Sequence, residues 1–169
     1  MKQLSLFLFL ILMPILASAQ QTLDPKFEKK IEGLIDHSVP VISCERLEKK
    51  MNTPNLYLLD AREKKEYETS HLEDAVWVGY NTFSPESLAA VPKDGIVVVY
   101  CSVGYRSEKI GEQLKNLGYT KVYNLYGGIF EWTNRTYPIV DQKNKKTSKV
   151  HAYDQDWGRW LNKGEKVYK

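Results

Sequence analysis

The sequence predicts an α/β fold: a doubly wound, mainly parallel sheet of about five strands with helices on both faces. Three observations carry that prediction. Ile96 to Tyr100, IVVVY, is a continuous apolar, β-branched run, the pattern of a strand buried on both faces. It leads through a tight loop into a helical pattern in which Ile110, Leu114 and Leu117 recur at spacings of four and three. Strand-like runs at 56–61, 75–78, 96–100 and 121–125 alternate with helical segments, and such βαβαβ alternation implies parallel pairing.

In chain order, the first segment is MKQLSLFLFLILMPILASAQ. Lys2, an apolar stretch from Leu4 to Leu16 and Ala17-Ser18-Ala19 form the pattern of a signal peptide over residues 1–19. The stretch is short for a membrane span, and Pro14 interrupts it. Export to a periplasmic or extracellular space is therefore expected, with cleavage after Ala19 and no membrane span in the mature chain. Setting that segment aside leaves 169 − 19 = 150 residues, enough for one domain with a sizeable core. The remaining charge is 23 basic against 21 acidic residues, a balance that argues against nucleic-acid binding.

A helical segment within residues 20–38 begins at Asp24-Pro25, aspartate as N-cap and proline at the first position. Phe27, Ile31, Leu34 and Ile35 form its apolar stripe, which is expected to pack on the outside of the domain. Ser43 reads as the N-cap of a second helix, with Leu47 and Met51 on one face. Cys44, within it, reads as a small buried hydrophobe. Ser84-Pro85 starts a further helix whose Leu88, Ala89 and Val91 should face inward. Residues 138–169 form a basic extension of eight basic and four acidic residues from Asp141 onward. Its QKNKKTSK run reads as a solvated loop. Tyr153, Trp157, Trp160 and Leu161 predict a short amphipathic helix docked on the chain's own surface. Asn134-Arg135-Thr136 has the form of a glycosylation sequon and reads as a chance match.

The chemistry concentrates at the end of the apolar strand. Cys101 follows it directly, beyond the carboxyl end of a strand, where open α/β sheets place their sites. The helix that follows offers unpaired N–H groups and a partial positive charge, which favour a negatively charged sulfur. Gly104 lets the loop curl so that its amides point inward, and Arg106 adds a full positive charge. Cys101 as a mere buried hydrophobe would leave Gly104 and Arg106 unexplained.

The loop CSVGYRS resembles the active-site loop of the rhodanese family, C-x-x-G-x-R-[ST]. The run from Asp60, with Arg62, Glu66, Tyr67, His71 and Leu72, resembles a second signature of that family. Ser70 and Asp74 stand where the family has glycine. Gly127, Gly128 and Trp132 resemble its closing signature. The resemblance spans residues 39–137. Four residues separate Cys101 from Arg106, whereas related phosphatases of the same fold use five. A shorter ring of amides suits one sulfur atom better than a phosphoryl group.

The resemblance implies a sulfurtransferase. Cys101 would take a sulfane sulfur from a small anionic donor, thiosulfate being the family's usual test substrate. The persulfide would be cradled by Ser102, Val103, Gly104, Tyr105 and Ser107, and a thiol or cyanide acceptor would then remove the sulfur. Arg106 would orient the loop and stabilise negative charge. Ser107 would cap the helix or donate to the sulfur. Asp60 and Arg62 would hold neighbouring loops together, and His71 would hydrogen-bond backbone at an element end rather than act as a base. The two glycines would let the backbone turn beside the catalytic loop, and Trp132 would be core or a wall of the pocket. A reductase or a sulfur-accepting protein is a conceivable partner, since a reactive thiol outside the cytoplasm needs protection. Neither a cofactor motif nor a metal-ligand spacing is visible. Two alternatives stay open: a sulfur-carrier or docking module, favoured by the uncharged Ser102, Val103 and Tyr105, and a cysteine-dependent phosphatase or arsenate reductase.

Overall fold

Asp24 opens the first helix, α1 (Pro25–Glu32), by accepting the amide protons of Lys26 and Phe27 on its carboxylate. The computed structural model describes residues 22–168, so the leader expected at 1–19 lies outside the described residues. The chain continues through β1 (Val41–Ile42), α2 (Cys44–Glu48), β2 (Leu56–Asp60), α3 (Lys64–Thr69) and β3 (Val76–Trp77). A single 3₁₀ turn, Pro85–Leu88, precedes β4 (Ile96–Tyr100), α4 (Tyr105–Asn116), β5 (Lys121–Leu125) and α5 (Gly128–Asn134). The C-terminal extension holds β6 (Ile139–Val140), β7 (Lys146–Thr147), β8 (Lys149–His151), α6 (Gln155–Gly158) and β9 (Glu165–Val167).

The main sheet has five parallel strands in the order β1-β5-β4-β2-β3. The apolar run β4 lies at its centre, paired residue for residue with β2 from Leu56↔Ile96 to Asp60↔Tyr100. Cys101 and Ala61 therefore leave the sheet side by side at its carboxyl edge. The pleat sends alternate residues of β4 to opposite faces. Val98 and Tyr100 join one core, with α1, α2, α5 and the extension; Val97 and Val99 join the other, with Ile110 and Leu114 of α4. Residues on both faces of β4 are buried, which is why the strand reads as continuously apolar.

Four expectations need correction. Leu117 is 37 % exposed, because α4 ends at Asn116; the chain turns through Gly118, whose φ is +88°, and Tyr119 takes the buried place. Ala89 is exposed, because the turn at Pro85–Leu88 repeats every three residues and so aligns Leu88 with Val91. Helix α1 packs on the outside as expected, with only its stripe covered: Phe27 and Ile31 are fully buried, and Trp160 of the extension stacks on Phe27 at 5.5 Å between ring centres. The QKNKKTSK run is no plain loop, since Lys146–Thr147 pairs antiparallel with Ile139–Val140 across a turn that Asp141 closes by accepting the amides of Lys143 and Lys145. The aromatic helix shrinks to one turn, α6, capped by Asp154 and flanked by the parallel pair β8–β9. Tyr153 stands outside that turn with φ of +66°. The docking itself is as expected: Leu161, Val150 and Ala152 are fully buried in the core that holds α1.

Candidate active site

The loop from Cys101 to Gly104 is bent by what holds its carbonyls. The amides of Ile129 and Phe130, in the first turn of α5, donate to the carbonyls of Cys101 (2.9 Å) and Ser102 (3.1 Å). That approach requires glycine at position 128: a Cβ there would lie 2.3 Å from the Cys101 carbonyl oxygen, and Gly127 and Gly128 both take positive φ. Asn124, fully buried at the end of β5, donates from Nδ2 to the carbonyl of Gly104 at 2.9 Å. Gly104 itself takes φ of +120° and serves as N-cap of α4. With the carbonyls drawn away, the amide of Gly104 donates to Cys101 Sγ at 3.1 Å, and the first turn of α4 begins beside the sulfur.

Ser107 does not cap the helix. Its hydroxyl is 2.7 Å from Asn124 Oδ1 and 3.5 Å from Cys101 Sγ, so the sulfur and the amide oxygen compete for one proton. Cys101 is buried among its neighbours yet lines the floor of a cleft of about 540 Å³. Val103, Tyr105 and Arg106 border the same cleft, as do Tyr80 and, from the extension, Tyr153 and Trp157.

Arg106 is anchored. Its two terminal nitrogens donate to the two oxygens of Glu66 at 2.7 and 2.9 Å, and Ser102 Oγ joins the same pair at 3.0 Å to each partner. Burial pushes the Glu66 carboxyl up, but hydrogen bonds and charge from Arg106, with Arg62 beyond, outweigh it and hold the group at about 2. Burial works against the Arg106 charge as well, and is overcome by Glu66 and then by Cys101, which keep the guanidinium firmly charged. Arg106 is thereby tied to Ser102 of the loop and to Glu66 of α3.

Behind this pair, Asp60 and Arg62 form a fully buried two-pronged ion pair, and Arg62 also donates to the carbonyl of Ser70 at 2.6 Å. They fix the ends of α3, which carries Glu66. His71 is bonded through Nδ1 to the Tyr67 carbonyl and stacks on the Tyr67 ring, the structural role expected of it. Asp74 takes φ of +61° where the family has glycine, a conformation aspartate tolerates. Trp132 is core, donating from Nε1 to the Pro138 carbonyl, and does not border the cleft. Asn134 of the sequon is buried and joins the extension, donating to the Trp160 carbonyl and accepting from the amide of Asn162. Cys44 is fully buried, and burial pushes its thiol well up. Away from the cleft's lining, the carboxylates of Asp36, Glu108 and Glu112 lie within 4.8 Å of one another. Lys109 and backbone amides already occupy them.

Several of these residues escape the sequence reading: Glu66 as the partner of Arg106, Asn124 as the loop's staple, and Tyr80, Tyr153 and Trp157 as walls. The signal for Asn124 is a lone amide in a buried strand, where each polar atom needs a partner. Nothing local marks Tyr153 or Trp157, which reach the site only through tertiary folding.

Residues 43–135 match the family described as Rhodanese-like domain. Among curated proteins, the tRNA uridine(34) hydroxylases of Enterobacter sp. (strain 638) and Escherichia coli (strain K12 / DH10B) are 33 % identical over 90 residues. That stretch is 50 % of this chain and 26 % of theirs, so the chain spans about a quarter of the length of the curated relatives it matches. A thiosulfate sulfurtransferase from Pseudomonas aeruginosa superposes with a TM-score of 0.57 at 22 % identity, covering 80 % of this chain and 25 % of that one. A rhodanese-like domain from Anabaena superposes with a TM-score of 0.56 at 19 % identity, covering 60 % and 79 % of the two chains. These likenesses bear on the fold.

Proposed function

The chain belongs to the rhodanese-like domain family, and from that membership and the loop geometry we propose that it is an exported sulfurtransferase working through a persulfide on Cys101. The observation that carries the reading is the sulfur of Cys101, which accepts the Gly104 amide at 3.1 Å on the floor of an open cleft. The Cys101 thiolate attacks the outer sulfur of a small donor such as thiosulfate. The donor's S–S bond breaks, sulfite leaves with the electron pair, and Cys101 holds the sulfane sulfur as a persulfide. A thiolate or cyanide then attacks the outer sulfur, and Cys101 recovers the electron pair of the broken bond. The Gly104 amide and the start of α4 stabilise the extra negative charge in both steps.

One observation favours a second reading, a sulfur carrier for a partner. Arg106, the one cation among the described residues lining the cleft, is engaged with Glu66 and leaves a free dianion little to bind. A steady-state thiosulfate–cyanide assay separates the two. Turnover that is lost in Cys101→Ser supports the enzyme; sulfur loading without turnover supports the carrier. Phosphate-monoester hydrolysis dependent on Cys101 would replace both with a phosphatase. Export rests on the 1–19 pattern, and N-terminal sequencing of the protein from cell fractions tests it: a new terminus after Ala19 is expected. Among the described residues, no helix is long and apolar enough to cross a membrane.

A further inference from the structure

We propose that the cleft over Cys101 is built for an organic thiol with an uncharged, aromatic or apolar body, which removes the sulfane sulfur from the Cys101 persulfide. The proposal rests on the sulfur-transfer reading above and names its acceptor class.

Size is the first argument. A cleft of about 540 Å³ falls in the range of roughly 300–1,000 Å³ that encloses drug-sized ligands. Cyanide or thiosulfate would fill a small part of it. The walls are the second. Leu34, Tyr80, Tyr105, Tyr153 and Trp157 present ring faces and apolar surface around the cysteine. Flat rings of this kind bind apolar bodies at low entropic cost. Two of the rings lie beside cations: the Arg106 guanidinium is 5.5 Å from the centre of Tyr153, and Lys30 Nζ is 5.1 Å from Trp157.

Charge is the third argument. Besides Arg106, the charged group bordering the cleft among the described residues is Glu63, whose carboxylate accepts the Asn81 amide at 3.0 Å and the backbone amide of Glu66 in the capping box of α3. The lining therefore holds one cation, already engaged with Glu66, and one anion, and offers no excess of positive charge to hold an anionic body. A neutral body loses nothing there. The origin of the walls is the fourth. Leu34, Tyr153 and Trp157 all lie outside residues 43–135, so they belong to the parts of the chain that the family pattern does not dictate.

The step balances without an external oxidant. The acceptor thiol loses its proton to water, and its sulfur attacks the outer sulfur of the persulfide. The bond between that sulfur and Cys101 Sγ breaks, and Cys101 keeps the electron pair. The new S–S bond leaves on the acceptor as an organic persulfide.

The test loads the purified protein with one sulfane sulfur, using thiosulfate or inorganic polysulfide, and follows discharge by intact mass. Three thiol acceptors are compared, each rate divided by that thiol's rate with a small-molecule disulfide so that intrinsic reactivity cancels: benzyl mercaptan, mercaptoethanol and the dianionic mercaptosuccinate. Discharge by benzyl mercaptan should be at least about tenfold faster than by mercaptosuccinate, the equivalent of about 1.4 kcal/mol. In Tyr153→Asn, whose new residue tolerates the positive φ, the ratio of benzyl mercaptan to mercaptoethanol rates should fall severalfold. Trp157→Ala provides a second, independent wall deletion with the same expected fall. Equal rates for the three thiols, a lead for mercaptosuccinate, or a ratio unmoved in both variants would overturn the acceptor assignment while leaving sulfur transfer standing. A protein that never loads sulfur would overturn the sulfur-transfer reading, and this proposal with it.

Discussion

Glu66 shows how much of the site depends on one side chain that does not border the cleft. It binds both prongs of Arg106, accepts the Ser102 hydroxyl, and closes back on the amide of Glu63 at the start of α3. Its folded value of about 2 lies below the ordinary 4.5, so the stability it contributes is complete above pH 4.5 and is lost as pH falls from there toward 2. The shift corresponds to about 3 kcal/mol. Glu66→Gln should destabilise the protein by about 3 kcal/mol at neutral pH, read by urea unfolding, because it leaves the Arg106 charge without its partner. The same variant should lose the acid-sensitive component below pH 4.5. Gly128→Ala tests the other fixed point. Its Cβ would meet backbone at 2.3 Å, which no side-chain movement relieves, so a loss of roughly 2 kcal/mol or more is expected from strain at this site. A variant with wild-type melting and wild-type sulfur loading would contradict the account of the loop. Cys101, Gly104 and Arg106 were legible in the sequence because their spacing is itself the chemistry. The partners Glu66 and Asn124 were not assigned these roles, because the fold brings them to the loop from positions 40 residues before Arg106 and 20 residues after Gly104.

At the scale of elements, the strand–loop–helix unit from β4 to α4 and the α5 turn form one device. β4 delivers Cys101 to the sheet edge, α5 draws the loop carbonyls aside, and α4 sets its N-terminus beside the sulfur. β4 and α4 were readable because each has a strong period and a clear stop, whereas α5 was not read as a helix, since it is buried on every side and shows no polar face. The short pieces were not: β1, β6 and β7 have two residues each, too few for any period to show. Helix α1 and its apolar stripe were recognised, but the partner of that stripe was not, because the surface that covers it comes from the far end of the chain. The extension is thus part of the core. Removing residues 149–168 would uncover Phe27 and delete the buried Val150 and Leu161 together with the Trp160 stack. Each fully buried aliphatic side chain contributes about 1.5–3 kcal/mol, and the sum rivals the 5–15 kcal/mol that holds a typical domain. The truncated chain should fail to melt cooperatively in calorimetry. A truncated chain with an unchanged melting temperature would show that the extension is an accessory.

For the whole molecule, acid should be the sensitive direction. His151 is buried, with Nε2 unpaired among the described residues and Nδ1 accepting the Tyr153 amide. Burial is the main force lowering its affinity for protons; Glu66 opposes it, and Lys65, Arg62 and Arg106 add to it. The unfolded chain therefore takes up this proton first, and stability should begin to fall below pH 6.5, before the Glu66 component fails below 4.5. Urea midpoints measured from pH 8 to pH 3 should be flat at the upper end and decline in those two stages; a midpoint that rises on acidification would be wrong in sign for both groups. The architecture as a whole, a parallel sheet with a nucleophile at its carboxyl edge, was legible from alternation and from one loop. The cleft's apolar and aromatic walls were not, since they are assembled from residues as distant as Leu34 and Trp157. The most direct measurement of the central claim is the intact mass of the protein after exposure to a sulfane-sulfur donor, with and without a reductant. A gain of one sulfur atom is expected, which a reductant removes and Cys101→Ser never acquires, while Cys44→Ala acquires it as the unsubstituted protein does. No gain, or a gain that persists in Cys101→Ser, would contradict it.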